Sequence, residues 1–180
     1  IRCGKTEIPP EPQDTTAPEI TVYSPISNKF YNTKNISLEV SANEQAEWKY
    51  SLNSADKVSF EPNTTITGEE GQNILIVYAT DIAGNTAQEQ VVFYVDTKMP
   101  IISILSPENK TYASRDILVK FTAQDENLVS SWFFNETADI YSNELEQKFS
   151  EGSHTLKFYA KDKAGNVAVK TISFTVKLPE

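Results

Sequence analysis

This chain has one cysteine, Cys3, and one histidine, His154, among its 180 residues, so it is nearly without the side chains most used for nucleophilic and zinc chemistry. A lone cysteine closes no internal disulfide, and the fold has to be held by its core. A histidine and a cysteine 151 positions apart make neither a Cys-His nor a Ser-His-Asp set evident. Asp-Thr-Thr and Asp-Thr-Lys occur at residues 14–16 and 96–98, yet neither carries the glycine of an aspartic protease signature. No run of eighteen apolar residues exists to cross a bilayer. The basic, apolar, small-residue order of a signal peptide is missing too, so an exported chain has lost its signal or carries it upstream. Positive charge is scarce: 16 Lys and Arg against 25 Asp and Glu leave a net charge of −9, which opposes nucleic acid and anionic membrane faces as partners.

What the chain does have, it has twice. Tyr78-Ala79-Thr80-Asp81-Ile82-Ala83-Gly84-Asn85 returns as Tyr159-Ala160-Lys161-Asp162-Lys163-Ala164-Gly165-Asn166, 81 positions later. An alternating apolar strand runs into Asp-x-Ala-Gly-Asn and a second strand follows, the pattern of a β-hairpin. Gly84, Asn85, Gly165 and Asn166 are expected to supply positive φ, with Asp81 and Asp162 bonding the turn backbone. The period is about one small domain, so the chain reads as two tandem copies of one unit.

The copies keep register elsewhere. Asp14-Thr15-Thr16-Ala17-Pro18 matches Asp96-Thr97-Lys98-Met99-Pro100, and a short alternating strand ending in Ser-Pro follows each. A second strand points Ile36, Leu38 and Val40, or Ile117, Val119 and Phe121, at a core. A third places Trp48, Tyr50 and Leu52 on one side, matched by Trp132 and Phe134, with Phe133 turned outward. Segments 54–67 and 136–150 differ and hold one or two edge strands each. The hairpin strands point Leu75, Val77 and Ala79, then Val91, Phe93 and Val95, inward, with Leu156, Phe158 and Ala160, then Ile172, Phe174 and Val176, as counterparts. Seven short strands per copy without a helix predict an all-β chain of two tandem immunoglobulin-like antiparallel β-sandwiches, joined end to end by a short linker. The expected divisions are a proline-rich tether at 1–17, containing Ile8-Pro9-Pro10-Glu11-Pro12, a first domain at 18–96 and a second at 97–180. Cys3 falls in the tether.

The order Pro-x-Ile, Tyr50-Ser51-Leu52-Asn53, Gly152-Ser153-His154-Thr155-Leu156 through Asn166, and a closing Phe-x-Val (93–95 and 174–176) resembles the Ig-like repeat modules of bacterial and archaeal cell-surface proteins. The resemblance covers 18–177. It implies an extracellular, cell-surface, non-enzymatic module: a stalk, filament or surface-layer component, adhesive in some relatives, whose partners are other protein subunits or further Ig-like repeats. The alternative is a carbohydrate-binding or accessory module of a secreted hydrolase, with Trp48, Trp132 and Phe133 as platforms. The first copy lacks His-Thr at Asn73-Ile74, which leaves His154 without a role common to both. A self-formed Lys-Asn cross-link, known in some such modules, needs a lysine on the first strand, and 20–23 and 102–105 contain none.

Three kinds of candidate position follow. The outward residues of the first hairpin, Ile74, Ile76, Tyr78, Val92 and Tyr94, are apolar where the second hairpin has Thr155, Lys157, Tyr159, Ser173 and Thr175, so the first copy carries a candidate interface unless a loop such as 56–60 covers it. Phe133 is a further interface candidate. Asn35, Asn63, Asn109 and Asn135 begin Asn-x-Ser/Thr sequons and are glycosylation candidates. No cofactor or metal is required. Calcium is the one ion with candidate ligands, in Asp14, Glu44, Asp81, Asp96, Asp125 and Asp162, although a turn-capping aspartate needs no ion.

Overall fold

A computed structural model describes residues 13–180, and among them strands carry all the regular structure, with no helix. The first eight strands are β1 (Ile20–Ser24), β2 (Phe30–Tyr31), β3 (Asn35–Ala42), β4 (Glu47–Leu52), β5 (Val58–Ser59), β6 (Thr64–Thr67), β7 (Gly71–Thr80) and β8 (Thr86–Val95). The next eight repeat the order: β9 (Ile101–Ser106), β10 (Thr111–Tyr112), β11 (Asp116–Gln124), β12 (Leu128–Phe134), β13 (Asp139–Ile140), β14 (Glu144–Lys148), β15 (Gly152–Asp162) and β16 (Val167–Val176). They form a three-stranded sheet β1-β3-β6 with a five-stranded sheet β2-β8-β7-β4-β5, then again β9-β11-β14 with β10-β16-β15-β12-β13. These are two tandem Ig-like sandwiches. By contact the chain divides into one unit of residues up to Asn28 with Asn35–Phe93, and another of Lys29–Lys34 with Tyr94–Glu180.

Alternation decides which side chains pack. In the first unit Ile36 and Leu38 from β3, Ile66 from β6, Leu75, Val77 and Ala79 from β7 and Phe93 from β8 are at most 1% exposed. In the second, Phe121 of the small sheet meets Phe133 and Phe158 of the large one edge to face, at centroid distances of 6.4 and 5.0 Å. Each of the larger of these side chains contributes about 1.5–3 kcal/mol by leaving water, and that helps to offset the ordering of so many short strands.

Three expectations are corrected. Each copy has eight strands, because β2 and β10 pair over two residues, and they pair in parallel with β8 and β16. The chain leaves the small sheet at Ser24-Pro25 or Ser106-Pro107 and rejoins the large one, which a purely antiparallel arrangement does not include. Second, Phe133 does not face outward: it is fully buried opposite Phe158, while Trp132 and Phe134 lie on the outer face. An extra residue between Leu128 and Ser130 shifts the register of β12 and reverses its two faces. The positional counterpart of Trp48, which sits opposite Ala79, is therefore Ser131, opposite Ala160. Third, of the turn residues only Gly84 and Gly165 take positive φ, at 93° and 91°; the two asparagines do not.

Candidate functional site

The Asp-x-Ala-Gly-Asn turns use asparagine as a side-chain bridge. In the second unit Asn166 donates its backbone N–H to Asp162 Oδ1 at 2.8 Å and its amide to Asp162 Oδ2 and to the Asp96 carbonyl, each at 2.7 Å. In the first, Asn85 donates to Asp81 through both groups at 2.8 Å and to the Asp14 carbonyl at 3.3 Å. Each turn therefore binds the aspartate that opens its own repeat, and that aspartate caps its own turn by accepting from Thr16 or Lys98. The Asn85 side chain lowers the Asp81 pKa, against the opposing effect of burial, with help from the Asn85, Gly84 and Ala83 N–H groups. The recurrence of Asp-Thr-x-x-Pro with the turn motif was the available signal for this bracket.

The same brackets gather acids. Asp14, Glu44 and Asp81 bring one carboxylate oxygen each within 4.8 Å of the others, and Asp96, Asp125 and Asp162 do likewise. These are the six residues named as hard-oxygen donors, now sorted into one trio per unit. Their oxygens already accept from amides: Asp125 from the Asn127 N–H at 2.7 Å and Asp96 from the Asn127 side chain at 2.8 Å.

A third polar feature lies in each sandwich two residues after a glycine. Asn73 is fully buried, and its amide donates to the carbonyls of Glu69 and Gly71 and accepts from the Glu69 N–H and the Asn53 side chain. His154, 7% exposed, holds the corresponding place between Phe149 and Phe174. Its Nε2 faces the Ser150 carbonyl at 2.8 Å and its Nδ1 faces Glu136 Oε2 at 3.0 Å, so the doubly protonated ring satisfies both. Burial disfavours that cation, but the bond to Glu136, the Ser150 carbonyl and the carboxylate charge outweigh it and raise the His154 pKa above 6.5. Glu136, pulled up by desolvation, is taken below 4.5 by bonds from His154 and the Thr155 N–H and by the imidazolium charge. With both nitrogens bound, the histidine is placed as a clip and not as a general base.

The outer faces of the large sheets differ. In the first unit Ile74 is 40% exposed, Ile76, Tyr78 and Val92 are half-buried, and Lys57, just before β5, holds its ammonium 3.6 Å from the centre of the Tyr78 ring. Tyr94, at the end of β8 and grouped by contact with the other unit, stacks on Phe30 of β2 at 4.6 Å. In the second unit Trp132 stands between Tyr159 at 5.1 Å and Tyr141 at 5.6 Å, from the strand on one side and just beyond the strand on the other, so both its ring faces are covered. Trp48 is buried against Phe60. Asn35, Asn63 and Asn109 are exposed; Asn135 is half-buried, its Oδ1 accepting from Thr137 and Ala138. Cys3 and the prolines at 9, 10 and 12 lie outside the described residues.

No family model matches the chain. It is 27% identical over 135 residues to halomucin of Haloquadratum walsbyi, an alignment that takes in 65% of this chain and 1% of that protein. Among solved structures it is similar to the fibronectin(III)-like modules of Clostridium thermocellum CbhA, with a TM-score of 0.57 at 17% identity, covering 89% of this chain and 95% of that one. It is also similar to extracellular domains 3–5 of Drosophila OTK, with a TM-score of 0.55 at 11% identity over 88% and 62% of the two chains. At these identities the likeness establishes the fold: Ig-like and fibronectin-like sandwiches in series.

Proposed function

We propose that this chain is a non-enzymatic extracellular structural module, a pair of load-bearing sandwiches of the kind that builds stalks, filaments and surface layers. The observation that carries the reading is the duplicated bracket: each repeat ties its entry aspartate to its own terminal turn, a device that resists peeling from the end and serves no reaction. The OTK domains it resembles are extracellular, in line with a role outside the cell. Adhesion and glycosylation of the sequons at Asn35, Asn63, Asn109 and Asn135 belong to the same reading. The sugar-binding alternative has lost its flat platforms, since Trp48 and Phe133 are buried and Trp132 is covered on both faces.

Single-molecule pulling of the full chain tests this. Two separate unfolding events are expected, each releasing about 28 nm for roughly 80 residues at ~3.5 Å per residue. Extension without resistance, or one merged event, would remove the load-bearing role.

A further inference from the structure

The outer face of the large sheet in the second unit is rich in unspent donors. Trp132 Nε1–H and the hydroxyls of Tyr141 and Tyr159 bond to no described residue, and Tyr141 is 70% exposed. On β15, Lys157 and Lys161 flank Tyr159 on the same face, both exposed and both outside every ion pair among the described residues. Four residues of strand separate them by about 13 Å. Asp139, opposite Phe134, is the nearest acid that the pairing places on this face. In a chain of net charge −9, such a face fits a ligand made of acceptors and negative charge.

The chain contains one. Glu7-Ile8-Pro9-Pro10-Glu11-Pro12 lacks an N–H at three of six positions, and a sequence of this kind is richer in acceptors than in donors. Residues four apart in a polyproline strand are separated by about 12 Å, so glutamates at positions 7 and 11 have a sequence spacing that suits the two lysines. Aromatic side chains with free N–H and O–H groups are what proline-rich segments dock against. We propose that segment 7–12 of a second copy of this chain docks on this face, its glutamates on Lys157 and Lys161 and its carbonyls on the N–H and O–H donors of Trp132, Tyr141 and Tyr159. Asp14, two residues after the segment, accepts from Asn85 of the first unit, and the receiving face is on the second. A contact of that kind joins copies head to tail. The first unit has no equivalent receptor: Ile76 and Thr80 occupy the lysine positions, Lys49 that of Trp132, and Tyr78 is already capped by Lys57.

The test is sedimentation velocity on the full chain at about 0.15 M salt. Mass should rise with concentration and fall back in 1 M salt. K157E/K161E and E7K/E11K should each weaken association about tenfold or more, with circular dichroism unchanged. An equimolar mixture of the two variants should associate again, since the basic segment of one now meets the acidic face of the other. A wild type that stays monomeric at millimolar concentration overturns the proposal, as does a mixture that fails to recover. Binding of polygalacturonate to a chain that stays monomeric also overturns it, and gives the face to an acidic polysaccharide instead. None of these results bears on the two unfolding events expected above, so the structural role and this contact fail separately.

Discussion

The two units solve one packing problem with different chemistry. In each, a polar side chain enters the core two residues after Gly71 or Gly152 and bonds the carbonyl four residues before it, Glu69 or Ser150. In each, a residue of positive φ beyond the third major strand, Asn53 at 53° or Glu136 at 78°, accepts the N–H of Ile74 or Thr155 and touches that buried side chain. The first unit does this with two neutral amides, the second with an imidazolium and a carboxylate. The fold demands a clip at this corner. It leaves open whether the clip carries charge, and so whether its strength depends on pH.

Breaking the neutral clip should have the largest effect. Asn73→Ala removes four hydrogen bonds at a site with no access to water, and is expected to cost about 3–4 kcal/mol. Trp48 reports on the first unit and Trp132 on the second, so denaturant melts of W132F and W48F backgrounds follow the units one at a time. The loss should be confined to the first. A smaller contrast comes from the brackets: Asn166→Ala, at a buried turn, should cost about 2–3 kcal/mol, and Asn85→Ala, partly exposed with a longer bond to Asp14, about 1 kcal/mol. Equal losses would mean that the bracket does not depend on burial.

How far such contrasts were visible beforehand depends on their range along the chain. Alternation in β7, β8, β15 and β16 is long enough to orient the apolar side chains, and the buried apolar residues there are among those it named, whereas Ile172 is half-buried and the buried polar residues Asn73, His154 and Asp162 carried no such signal. Ser130-Ser131-Trp132-Phe133-Phe134 offers three consecutive aromatics, so either face reads as core, and one inserted residue upstream decided it. Two-residue strands such as β2 and β10 carry no period at all. The bond from Asn85 to Asp14 spans 71 positions, and although both motifs repeat, nothing local says that they meet. Asn73 and His154 look like a mismatch between copies until the shared carbonyl is seen.

The charged clip gives the comparison its pH axis. His154 has a folded pKa raised above 6.5, so its contribution is complete below 6.5 and fades as pH rises through the raised value. Glu136 is lowered from 4.5, so its contribution is present above 4.5 and is lost as pH falls through the lowered value. The Trp132-reported melting temperature should therefore be highest between about 4.5 and 6.5 and decline on both sides, with the Trp48-reported transition flatter above pH 6. H154N/E136N, which copies the first unit's pair, should flatten the second transition over the same range. A slope at alkaline pH that survives this exchange would assign the dependence to another group.

The smallest effect expected is a gain. Asp96, Asp125 and Asp162 place carboxylate oxygens within 4.8 Å of one another, and Asp162 and Asp96 are buried. Two unit charges at that separation repel by about 0.9 kcal/mol even at the dielectric constant of water. Asp125→Asn keeps an oxygen to accept the Asn127 N–H and removes one charge, so in a chelating buffer it should stabilise the second unit by about 0.5–1 kcal/mol. Glu44→Gln in the first unit should gain less, because Asp14 is exposed and water screens that trio. The reading is a paired denaturant melt with and without added calcium. A gain in chelator that turns into a loss in calcium would show that the charges converge to hold an ion, and an unchanged gain would show that they meet only because the bracket brings them there.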